Sequence, residues 1–152
     1  MNALRYIGSV FIAVLVGGIV IGAIQMIGML LFPLPGDMTM SQFEAMTWDE
    51  KHTLLHAAPP VVFIPVLIGY LVGMVVAGAV ATLLWPGRKL TGALIVGVLF
   101  TLINIANVVS VPQPLWVTVA SFMNFLPGAL GGGWAVSRGR SYQTVSTEAK
   151  HG

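Results

Sequence analysis

The sequence predicts an all-α integral membrane protein: four transmembrane helices in an up-down bundle, with a short amphipathic interfacial helix between the first two. Three observations carry that prediction. Hydrophobic residues fill 57% of the 152 positions and charged residues only 8%, against roughly 25% charged in a soluble domain. The chain contains four apolar runs, each near or above the ~20 residues that a spanning helix requires, with no room left for a separate soluble domain. Finally, no Asp, Glu, Lys, Arg or His falls within any of the four runs.

The first run, 6–32, is charge-free from Tyr6 to Phe32 and follows a short basic start ending at Arg5. A secretory signal peptide would have an apolar region of only ~7–15 residues and a small-residue cleavage site; this run is longer, and Phe32-Pro33-Leu34-Pro35 is a poor context for cleavage. A span is therefore expected. Gly18 and Gly22 form a G-x-x-x-G pair suited to close helix approach. Gln25 is the only strongly polar side chain in the run.

Pro33, Pro35 and Gly36 end the first helix, and segment 37–58 then collects four of the five acidic residues and two of the three histidines. Ser41-Gln42-Phe43-Glu44 and Thr47-Trp48-Asp49-Glu50 both match the capping box, in which hydroxyl and carboxylate satisfy free N–H groups at a helix start. Two short helices, or one with a kink, are expected. In the second, Trp48, Lys51, His52 and Leu55 recur at helical spacing, suiting it to lie along the headgroups.

The second span, 60–85, opens at Pro59-Pro60, carries Pro65 in its first turn where proline is tolerated, and presents the small series Gly69, Gly73, Ala77. A basic turn, Pro86-Gly87-Arg88-Lys89, leads to spans 90–111 and 115–136, joined at Pro112-Gln113-Pro114. The second of these contains Gly128 and Gly132, another G-x-x-x-G pair. One transmembrane domain, 1–136, and a polar, mobile tail, 137–152, result.

Six of the seven basic residues (Arg5, Arg88, Lys89, Arg138, Arg140, Lys150) then share one side, leaving Lys51 on the other. That side is the cytoplasm. Both termini are expected there, in a bacterial inner (plasma) membrane, with segment 37–58 and the Pro112 turn outside. Tyr6, Trp85 and Trp134 mark the inner boundary, and Phe32, Trp48 and Trp116 the outer one.

Composition also excludes. A net charge of +2 placed beside spans is not a nucleic-acid footprint, and no nucleic-acid partner is expected. The absence of cysteine removes disulfides, thiolate metal sites and thiol catalysis. Ion-coupled transport usually needs an intramembrane ionisable group, and Gln25 does not supply one. No intramembrane histidine could hold haem, and no Ser-His-Asp or paired-carboxylate pattern suggests hydrolysis. Gly128-x-x-Gly131-Gly132-Gly133 lacks the lysine of a phosphate loop and lies within a span. Neither an enzyme nor a cofactor is expected.

Two constellations remain. Asp49, His52 and His56, at spacings of three and four, share one half of a helix and could ligate zinc or copper outside the membrane, or sense pH; the plain alternative is a solvated surface set. Among the uncharged polar residues within the spans, one set stands out: Gln25, Thr101, Asn104, Asn107, Ser110, Thr118, Ser121 and Asn124. Around Gln113, Asn104 lies nine residues before and Asn124 eleven after, so a hairpin register pairing Asn104 with Ser121 or Asn124, and Asn107 with Thr118, is expected. Such bonds fix helix register. Two functions fit: a non-catalytic accessory or assembly subunit that self-associates or joins a larger membrane complex through glycine-lined faces, and an oligomeric channel or facilitator for a neutral solute, lined by Asn104, Asn107 and Asn124.

Overall fold

The computed structural model describes residues 2–33, 38–86 and 90–148, with side chains described from 4 to 138 within those ranges. The expected break at Pro35-Gly36, the charges of Asp37, Arg88, Lys89 and Lys150, and the side chain of Arg140 lie outside the described residues. Every regular element is helical among those described: α1 (Asn2–Leu31), α2 (Met40–Ala45), α3 (Trp48–Ala57), α4 (Ile64–Leu84), α5 (Thr91–Ser110) and α6 (Leu115–Glu148). Four helices are long and apolar enough to cross a membrane, over Leu4–Leu31, Pro60–Leu84, Thr91–Ser110 and Leu115–Arg138. Helical backbone in α6 continues to Glu148, past the expected boundary at 136.

Local signals set the ends. A 3₁₀ turn, Pro60–Phe63, feeds α4, whose first turn carries Pro65. The Trp85 N–H closes α4 on the Ala81 carbonyl at 2.9 Å. At the Pro112 turn, the Val111 N–H ends α5 on Asn107, and the Val117 N–H starts α6 on Pro114. Pro127 lies inside α6 and donates no backbone bond there; the glycine after it packs directly on α4.

α4 is the hub. On one side it meets α1, where Gly17 faces Ala77 and the Gly73 carbonyl, Ile21 faces Gly73, Ile24 faces Gly69, and Gly28 faces Pro65. On the other it meets α6, where Gly128 faces Met74 and Leu71, Gly132 faces the Val75 backbone, and Gly78 faces the Ala129 backbone. At both Gly78 and Gly132 an added Cβ would collide with a carbonyl oxygen, so only hydrogen fits. α5 fills the groove between α4 and α6 through Gly92, which meets Trp85 and the Ala81 carbonyl, and Gly97, which meets Leu126 and Ala129. Tyr70, Met74, Ala77, Val96, Phe100 and Phe125 lead the core these contacts enclose.

Gly69, Gly73, Gly128 and Gly132 thus lie at helix contacts, as their spacing suggests. Gly18 and Gly22 do not: nothing stands within 4 Å of a Cβ on either. The α1–α4 contact uses Gly17 and Gly28 instead, because each residue turns the helix by about 100° and this packing selects a neighbouring phase. Accordingly, Gly78→Ala or Gly132→Ala should destabilise the bundle by about 1–3 kcal/mol through forced separation of α4 and α6. Gly18→Ala and Gly22→Ala should leave thermal unfolding in mild detergent unchanged.

Candidate functional site: a polar cavity between α1, α4 and α5

Asn104 and Asn107 project from one side of α5, one turn apart. Facing them are Tyr70 of α4 and Gln25 of α1. The Asn107 Nδ2 approaches the Tyr70 hydroxyl at 3.5 Å, a long bond, and Gln25 lies on the same wall. Asn104 is buried, and neither its Nδ2 nor its Oδ1 has a partner. Gln25, Tyr70, Asn104 and Asn107 line a cavity of about 240 Å³, with Phe100 and Phe125 also on its wall.

The expected hairpin pairing is therefore corrected. Ser121 donates to the Val117 carbonyl at 2.8 Å, Thr118 to Pro114, Thr101 to Gly97 and Ser110 to Ala106. A hydroxyl that bonds the carbonyl four residues back needs no partner on another helix. Asn124 donates to the Leu67 carbonyl of α4 at 3.3 Å rather than to Asn104. Asn124, Gly128 and Gly132 share one stripe of α6, so the close glycine packing on α4 turns Asn124 towards that helix too.

Tyr70 is the site residue that the polar pattern of the spans passes over. A signal existed: α4 is otherwise almost wholly apolar, and a buried phenol usually finds a hydrogen-bond partner. Thr82, also buried, has an unpartnered Oγ1 among the described residues, where it abuts Gly133 of α6.

Beyond Gln25 lies a second cavity of about 250 Å³, which shares Gln25, Tyr70 and Asn107 with the first. Met40, Phe43 and Leu55, from α2 and α3, are part of its lining. Thr39, not Ser41, caps α2, with Gln42 completing the box; the helix starts two residues earlier than expected, which places Ser41 inside it. Thr47 caps α3 with Glu50 as the motif predicts. Lys51 ties the two short helices together, donating to the Glu44 carbonyl at 3.1 Å.

The proposed metal set does not assemble. Among the described residues no group of three His, Asp or Glu side chains could share an ion. His52 and His56 instead stack face to face, 3.9 Å apart and 20° from parallel, beneath Trp48, while the His56 Nδ1 lies 2.9 Å from the His52 carbonyl oxygen. Ligation needs converging ring nitrogens, and stacking presents faces.

In the α3 capping box the Thr47 N–H and hydroxyl donate to Glu50 at 2.7 and 2.8 Å. These bonds, the backbone one foremost, hold the Glu50 carboxyl below its ordinary pKa. A depressed folded-state pKa stabilises the cap fully above the ordinary glutamate value and loses that contribution as pH falls through the lowered one. Hence α3 should fray on acidification across that window, seen as rising amide exchange at Glu50 and Lys51 by NMR. Glu50→Gln, which keeps an acceptor, should remove that pH dependence.

The chain matches no protein-family model, no curated protein and no solved structure, so its function has to be sought in the geometry of these residues.

Proposed function

We propose that the chain is a non-catalytic multi-pass membrane component, an accessory or assembly subunit that associates with a second copy or with a larger membrane complex along α1. The four apolar helices cross the bilayer up and down, both termini cytoplasmic, in an inner-membrane orientation set by the basic residues at one end. Contact order supports the alternation: numbers rise in α1 as they fall in α4, and rise together in α4 and α6. Ring contacts group the boundary aromatics similarly, with Tyr6 on Trp85 at 4.8 Å and Phe63 on Trp116 at 5.7 Å.

One observation favours association over the facilitator. Most glycine contacts in α4, α5 and α6 are used within the chain, yet α1 leaves a second face unpacked. Gly8, Phe11, Leu15, Gly18 and Gly22 follow alternating spacings of three and four, the period of a helix–helix seam. Phe11 is 62% and Leu15 49% exposed, and Gly8, Gly18 and Gly22 meet nothing within 4 Å. Beside this seam runs an apolar groove of about 580 Å³ between α1 and α5, lined by Val10, Val14, Leu99 and Ile103. Bulky side chains alternating with glycine suit a partner helix better than lipid alone. A conducting path lined by all three asparagines draws less support, because Asn124 is committed to Leu67 and Phe100 and Phe125 pack beyond Asn104.

The cysteine-free chain makes the test clean. Leu15→Cys or Gly18→Cys, oxidised in native membranes, should give a cross-linked dimer or a heterologous adduct, whereas Val98→Cys on the outward side of α5 should not. Only monomer from every seam cysteine, with no adduct, would sink the association reading.

A further inference from the structure

We infer that the cavity between α1, α4 and α5 binds a small uncharged molecule that carries both a hydrogen-bond donor and an acceptor, a carboxamide being the best complement, on an apolar or aromatic body. Asn104 carries this assignment. It is 3% exposed, and both polar atoms of its amide are without a partner in the folded chain. Buried polar groups are almost always bonded. The hydroxyls of Thr101 and Ser121 are already bonded to their own helices, Asn107 donates to Tyr70, and Gln25, on the same wall, makes no bond to Asn104. The group that completes Asn104 therefore comes from outside the chain.

Size and chemistry narrow its class. The cavity, about 240 Å³, far exceeds the ~10–15 Å³ that one water needs and lies just below the ~300 Å³ at the small end of ligand pockets. Asn104 offers one acceptor and one donor group, so a ligand presenting the reverse pair can engage both. No Asp, Glu, Lys, Arg or His lies within the four apolar runs, which leaves a charged ligand without a counter-ion and heavily penalised by desolvation. The wall is aromatic: Phe100 and Phe125 lie 6.4 Å apart and nearly parallel, with Tyr70 5.1 Å from Phe125. Such surfaces favour a flat, apolar body.

The second cavity supplies a vestibule. Gln25, Tyr70 and Asn107 border both spaces, so a solute in the second cavity meets the same three side chains that stand beside Asn104 in the first. The site adjoins the α1 seam, sharing Gly18 with it and Ile103 with the groove beside it, but it rests on the buried Asn104 amide rather than on the exposed face of α1.

Benzamide is a suitable probe, titrated into the isotope-labelled full chain in mild detergent. The Asn104 side-chain amide signals should shift saturably, and benzoate should not compete. In Asn104→Leu, a near-isosteric change that relieves an unbonded amide, affinity should fall roughly 10-fold or more with unfolding temperature unchanged or raised. Tyr70→Phe, which keeps the ring, should also weaken binding. Unmoved Asn104 signals, or equal uptake by wild type and Asn104→Leu, would overturn the site. So would loss of the α1 cross-link in Asn104→Leu with no benzamide response, which would assign the amide to a partner chain. Loss of cross-linking in the wild type with the benzamide shift intact would instead count against association alone.

Discussion

The approach of α4 and α6 at Gly78 and Gly132 is the constraint from which the rest of the bundle follows. In hydrocarbon, covering one apolar side chain with another gains little over covering it with lipid, so helices must gain through close backbone packing and interhelical bonds. Here each helix presents a glycine to the other's backbone. That contact sets the rotation of α6, brings the Asn124 amide to the Leu67 carbonyl, and seats Phe125 against Tyr70 and Phe100. α5 then occupies the groove that remains, and its polar side turns towards Tyr70 of α4. The polar cavity is a by-product of that rotation.

Much of this is legible in the chain alone, for reasons that are local. Charge exclusion, proline and turn residues act within a few positions, and the helix ends fall close to where those signals put them: Leu31, Leu84, Thr91, Ser110 and Leu115. The Thr47–Glu50 cap is equally local. Rotation about the helix axis is not. Gly17 and Gly18 are adjacent and chemically identical, yet one contacts Ala77 and the other meets nothing; only the partner surface distinguishes them. The same holds for the amides. Gln25, Asn104 and Asn107 stand out by composition, but which of them meet depends on α4, whose Tyr70 joins them from another part of the sequence. Hydroxyls misled because serine and threonine can bond within their own helix.

The two ends of the bundle differ in build. At one, Tyr6 packs on Trp85 and Arg138 lies over the Trp134 ring at 3.8 Å, an amphipathic rim. At the other, α2 and α3 lend Met40, Phe43 and Leu55 to the wall of the second cavity, each helix held by a reciprocal cap and the two joined through Lys51. Neither short helix has a buried residue, so both depend on end capping and a few side chains. Elements with few buried apolar contacts open most readily. Two helices without buried residues therefore border the second cavity.

Asn104 is where stability and function pull apart. An unbonded buried amide costs about 1–3 kcal/mol, a large share of the ~5–15 kcal/mol that typically holds a domain together. The surrounding helix shows no structural need for polarity: Ile103 and Ile105 flank it and Phe100 lies one turn back. Asn107 and Asn124 each find a partner within the chain, so amides as such are accommodated by this packing. Of these three asparagines Asn104, facing the cavity, is left without one. A polar group that destabilises the free bundle and borders a cavity large enough for a solute is what a preorganised binding site requires, since the bond it lacks in the free chain becomes part of its affinity for the ligand.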